Sequence, residues 1–177
     1  MRVVVPMTHN DYNSGLPVPP SVGGGPLPIP YTAEEVGRTF ADLLATFDFG
    51  AELHGLEIGR FNFFKRTRAK QLLTAMSIAL WHIALEKSFP QNADGFFFRF
   101  HETYPSLVGD GRRAKRLREL VARYDALMTE KKDTDFTKMA ETLAEDLEIH
   151  ENDRRKQQLK LSLRIRAMYD LIFDKLI

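Results

Sequence analysis

Apolar side chains recur along most of this chain at the three- and four-residue spacing that lines one face of an α-helix. Val36, Phe40, Leu43, Leu44 and Phe47 make the first such stripe. It is introduced by Tyr31-Thr32-Ala33-Glu34-Glu35-Val36, where Thr32 can cap, Glu35 completes a capping box and Tyr31 can staple onto Val36. Gly50, after Asp48-Phe49, reads as the stop. Residues 51–60, with Gly55 and Gly59, form a connector whose pattern assigns no element.

From about residue 61 to 88 the pattern predicts the longest and most hydrophobic helix, ended by Pro90. Leu72, Leu73, Met76, Ile78, Ala79, Leu80, Trp81, Ile83 and Leu85 leave it little polar surface, so it should be central and surrounded by other helices. Thr74, Ser77 and His82 interrupt this stretch, which is too short and too broken for a membrane span. Asn92 offers a cap for a shorter aromatic helix carrying Phe96, Phe97, Phe100 and Tyr104, closed by Pro105. Gly109 and Gly111 mark the next turn.

A helix from about 112 to 131 aligns Ala114, Leu117, Val121, Tyr124 and Met128. Asp135 can cap the next, which carries Phe136, Met139, Ala140, Leu143 and Leu147. The last segment, about 153 to 177, places Leu161, Ile165, Met168, Tyr169, Ile172, Phe173 and Leu176 at helical spacing. Leu159, Leu161, Leu163 and Ile165 also alternate as in a strand, but the helical spacing that follows favours helix. The expected fold is all-α: about six helices in antiparallel hairpins, as a bundle or short helical solenoid, over residues 31–177. No repeat signature accompanies them.

Residues 1–30 contrast with this. They hold seven of the nine prolines and only two charges, Arg2 and Asp11, and read as an extended proline- and glycine-rich arm. Ordering such an arm costs backbone entropy, which a preformed surface must offset. That surface is either the chain's own helices or another subunit. Leu16, Val18, Val22, Leu27 and Ile29 are the candidate anchors, and Gly23-Gly24-Gly25 is a flexible joint between two proline segments. The opening MRVVVP is too short for a secretory signal core.

Composition narrows the function. With 44% hydrophobic residues the chain can bury a core without staples, and the absence of cysteine excludes disulfides, thiol catalysis and Cys-ligated metals. A net charge of +1 supplies no global attraction to nucleic acid or acidic lipid, so local patches must carry any such binding. Three basic clusters stand out. Arg60, Lys65, Arg66, Arg68 and Lys70 are interleaved at their start with Phe61, Phe63 and Phe64, whose spacing fits core. Arg112, Arg113, Lys115, Arg116 and Arg118 load a helix start, where the macrodipole disfavours cations unless anions approach from outside. Arg154, Arg155, Lys156, Lys160, Arg164 and Arg166 are the third. Opposing them, residues 133–153 carry eight acidic side chains and a single lysine, Lys138. The two kinds of segment either face each other or leave the basic clusters for a partner.

Chemistry-bearing patterns are sparse. Glu52, His54 and Glu57 are the nearest approach to a metal-ligand set, and an exposed polar connector explains them as well. His82, within the most apolar helix, reads as a hydrogen-bonded core histidine. His101-Glu102 lacks a third partner, Glu141 and Glu145 read as solvated surface, and no nucleophile elbow or phosphate-binding loop is present. The expectation is therefore a soluble, intracellular, non-catalytic accessory subunit without cofactor or metal. It would dock on other protein subunits through the arm anchors and through Lys65, Arg66, Arg68, Arg112, Arg113 and Arg116. The alternative is a helical nucleic-acid-binding adaptor using the clusters at 65–70 and 112–118, and a helical bundle with a ligand pocket near His82 and His101 ranks below both.

Overall fold

The computed structural model describes residues 31–56, 58, 62–109, 111–130, 133, 135–149 and 151–176, without the side chains of 106–108, 151–154 and 176. The arm and its five anchors, together with Glu57, Arg60 and Phe61, lie outside the described residues. The fold is all-α, with seven helices described: α1 (Ala33–Thr46), α2 (Gly50–Gly55), α3 (Phe63–Ser88), α4 (Ala93–Val108), α5 (Gly111–Thr129), α6 (Thr137–Asp146) and α7 (Glu151–Leu176).

The capping box at α1 forms as its sequence implies. Glu35 N–H donates to Thr32 Oγ1 at 3.2 Å, and Thr32 N–H donates back to Glu35 Oε2 at 2.8 Å. Tyr31 meets Phe89 edge-on at 6.2 Å. Gly50 does not terminate a helix but begins the six-residue α2, the element that the connector's pattern left unassigned. The Asp48 carboxylate accepts from Gly50 N–H, and burial of Phe49 and Leu53 holds this short helix down.

α3 is the central element. It packs against α4, α5 and α7 and buries thirteen residues from Ala69 to Leu85, because apolar side chains surround its middle on all faces. At one end of this core Phe40 of α1 stacks parallel to Trp81 at 4.4 Å, and Phe100 of α4 approaches both, at 5.3 and 4.9 Å. One aromatic cluster thus ties three helices.

α4 does not end at Pro105, which sits inside it. Proline removes the N–H that would bond the His101 carbonyl. Nearby, Arg118 of α5 donates to the Glu102 carbonyl at 3.1 Å, giving this turn a partner from a neighbouring helix. α4 runs antiparallel to α3 and to α5: Trp81 meets Phe97 and Phe100, Thr74 shares a cleft with Tyr104, and Glu102 meets Arg118. α3 and α5 are therefore parallel to each other.

α6 is capped by a different residue from the one expected. Asp135 accepts from Thr137 N–H at 3.1 Å, whereas Asp133, 3% exposed, accepts from Lys138 N–H at 3.2 Å and Met139 N–H at 2.7 Å. Phe136, at φ 63°, turns the chain between them and buries its ring. In α7, Leu161, Ile165, Tyr169 and Ile172 are buried while Leu159 and Leu163 are exposed. The strand-like alternation is two i, i+4 pairs offset by two residues, one on each face of a helix.

Candidate functional site

The parallel course of α3 and α5 brings two of the three basic clusters to the same end of the bundle. Lys70 and Arg113 line one cleft of about 250 Å³, with Thr67, Gln71 and Thr74 of α3, Tyr104 and Pro105 of α4, and Gly109 and Leu117 near the start of α5. Of the two helices, α5 brings its first turn to the cleft through Arg113, whereas α3 contributes its second to fourth turns. Arg112 and Arg116 are exposed on α5 and Arg66 is half-buried, whereas Lys65, also exposed, acts with Arg68 on Glu148 and does not line the cleft.

Phe63 and Phe64 open α3 beside this cleft. They are 71% and 92% exposed, which overturns the expectation that these rings belong to the core. The helix begins at Phe63 because Asn62 caps it, its side-chain oxygen accepting from Lys65 N–H at 3.1 Å. Phe63, Thr67, Lys70 and Thr74 then fall on one face at the i, i+4, i+7, i+11 spacing, so an apolar ring continues the cationic wall.

The acidic segment neutralises part of the basic surface. Arg68 pairs with Glu148 at 2.6 Å, holding that carboxyl below its ordinary value, and Arg123 pairs with Asp146 at 2.8 Å. Arg164, of the third cluster, donates to the Ala51 carbonyl at 3.0 Å and lines a separate groove with Glu52, Ala167 and Leu171. Arg155, Lys156, Lys160 and Arg166 are exposed along α7. His54 is exposed on α2, and Glu141 and Glu145 are exposed on α6.

His82 is the hydrogen-bonded core histidine its surroundings implied, with partners that sequence reading did not identify. Its Nδ1 lies 2.7 Å from Asp125 Oδ1, its Nε2 3.3 Å from Asp94 Oδ1, and its ring stacks on Phe97 at 3.9 Å. Burial alone would depress its pKa, but Asp125, then Asp94 and Glu86, outweigh burial and raise it above 6.5. His101 stacks on Phe97 at 5.7 Å, so the two histidines flank one ring. The only local signal for this group is the i, i+4 spacing of His82 and Glu86; Asp94 and Asp125 come from other helices.

No helix among the described residues is long and apolar enough to cross a membrane. Comparison with known proteins returns no similar family, curated protein or solved structure.

Proposed function

We propose that this chain is a soluble, intracellular, non-catalytic accessory subunit that docks an acidic segment of another protein in the cleft that Lys70 of α3 and Arg113 of α5 line. The convergence of Lys70 and Arg113 on one cleft, with Phe63 exposed on the same wall, carries this reading. Two cationic side chains on one cleft offer a carboxylate-bearing segment charge-assisted hydrogen bonds, and the first turn of α5 adds its positive end. An aromatic anchor flanked by cations is also the composition that dominates protein interfaces. The arm, through Leu16, Val18, Val22, Leu27 and Ile29, is the second contact in this reading, supported by its proline content.

A second reading, a nucleic-acid adaptor, is favoured by one specific observation: exposed Phe63 and Phe64 beside Lys65 and Arg66 supply stacking faces next to phosphate-binding cations.

The test compares the wild type, Lys70→Glu/Arg113→Glu and a variant lacking residues 1–30, each checked for helicity, for recovery of a protein complex of fixed stoichiometry from native extract. A complex recovered by the wild type and lost in both variants is the expected result. Equal recovery by all three would overturn the docking reading. In parallel, binding of a single-stranded oligonucleotide that weakens with salt and vanishes in the charge-reversed variant would establish the second reading instead.

A further inference from the structure

The His82 ring is fixed by its surroundings. It lies within 7° of parallel to Phe97, its side chain is 8% exposed, and Nδ1 sits 2.7 Å from Asp125 Oδ1. An ionised carboxylate only accepts, so Nδ1 carries the proton in that bond. Nε2 of the neutral ring then presents a lone pair to the Asp94 carboxylate 3.3 Å away. Two acceptors face each other, which is stable only with a cation on or between them. Glu86, one turn after His82 on the same face of α3, adds another carboxylate. The ligand atoms of His82, Glu86 and Asp94 all lie within 4.8 Å of one another.

We propose that His82, Glu86 and Asp94 bind a divalent transition-metal ion of the Zn²⁺ class, with Asp125 as the positioning residue that orients the imidazole.

Three features select a metal ion. A proton shared between imidazolium and carboxylate draws the heavy atoms to about 2.7–2.9 Å. The 3.3 Å seen here lies at the long end of a hydrogen bond and also equals the separation of about 3.3 Å between two ligand atoms each about 2.0–2.1 Å from a tetrahedral ion. The Asp125–His82 bond is also the carboxylate–histidine arrangement that fixes tautomer and ring orientation in metal sites. Finally, a neutral imidazole with two carboxylates balances a dication. The nitrogen ligand favours Zn²⁺ over Mg²⁺ or Ca²⁺, which prefer oxygen alone.

The ligands also divide well between framework and adjustable parts. His82 is buried and stacked, whereas Glu86 and Asp94 are exposed, so they can rotate onto an ion and water can fill a fourth position. An ion there would link the last turns of α3 to the first turn of α4.

The test is calorimetric titration of the full chain, freed of metal by chelator, with ZnCl₂ and separately with MgCl₂. One equivalent of Zn²⁺ and no Mg²⁺ should bind. Glu86→Gln/Asp94→Asn, which changes only exposed side chains and whose helicity is checked, should weaken Zn²⁺ binding at least tenfold. Asp125→Asn, which keeps all three ligands, should weaken it about 10- to 100-fold. Absence of Zn²⁺ binding by the wild type would assign the cluster to a protonated His82 and overturn the proposal. Undiminished affinity in the double variant would place the ion elsewhere and overturn it equally. Unchanged affinity in Asp125→Asn would remove the positioning role.

Discussion

Two side chains show how much of this molecule rests on single residues. Trp81, the chain's only tryptophan, is fully buried among Phe40, Phe97 and Phe100, and its Nε1 has no hydrogen-bond partner among the described residues. Trp81→Ala should cost about 3–5 kcal/mol in chemical denaturation, from lost burial and the cavity left behind. Trp81→Phe should cost less, because it keeps an aromatic ring against Phe40 and removes the unpaired N–H. Asp133 looked in sequence like one carboxylate in an acidic run, yet it is buried with two backbone N–H donors at the start of α6. Burial raises its pKa, and the two donors pull it back only in part. Asp133→Ala should cost about 1–3 kcal/mol, since it removes a cap and leaves buried donors unpaired; an urea titration would read it. What marks Asp133 out is the backbone of Lys138 and Met139 folding over it, which no local spacing reveals.

At the scale of elements, caps and stripes were legible because they depend on neighbours within one turn. The α1 box is the clearest case, and it carries a pH signature. Glu35 accepts from Thr32 N–H and then from the Thr32 hydroxyl, which together hold its carboxyl below the ordinary 4.5. A depressed folded pKa stabilises the folded state fully above the unfolded value and ceases to do so as pH falls through the folded one. Glu35→Ala should therefore lower Tm at pH 7, and the gap from wild type should narrow as pH drops below about 4.5 in thermal melts. Element ends defined by glycine or proline were less secure. Gly50 opens α2 instead of closing α1, and Pro105 is accommodated within α4. For α2 a contact beyond the local segment decides, Leu53 buried in the core, and for α4 Pro105 itself is buried in the bundle.

For the molecule as a whole, α3 was recognisable as central because apolar residues on all its faces need several neighbours. The stripes of α1, α5, α6 and α7 were likewise legible, since each helix buries the face its spacing marks. Which polar groups share a site was not. Lys70 and Arg113, one from each of the basic clusters at 65–70 and 112–118, share a cleft because α3 and α5 lie parallel, a direction that follows from α4 folding back after α3. The expected loss of partner recovery in Lys70→Glu/Arg113→Glu belongs to this scale, because either cluster alone is an ordinary charged helix start. The same packing sets Asp125 of α5 and Asp94 of α4 on the two nitrogens of His82.

Local physics, namely apolar periodicity, capping chemistry and the proline-rich contrast of the first thirty residues, was enough to establish an all-helical domain and its buried stripes. Tertiary packing alone decided that Phe63 and Phe64 face solvent, that Asp133 is a buried cap and that His82 gathers carboxylates from three helices. The reason is one of range. Helix formation and capping act over three to four residues, whereas a shared cleft or a carboxylate–histidine cluster depends on the directions in which whole helices cross.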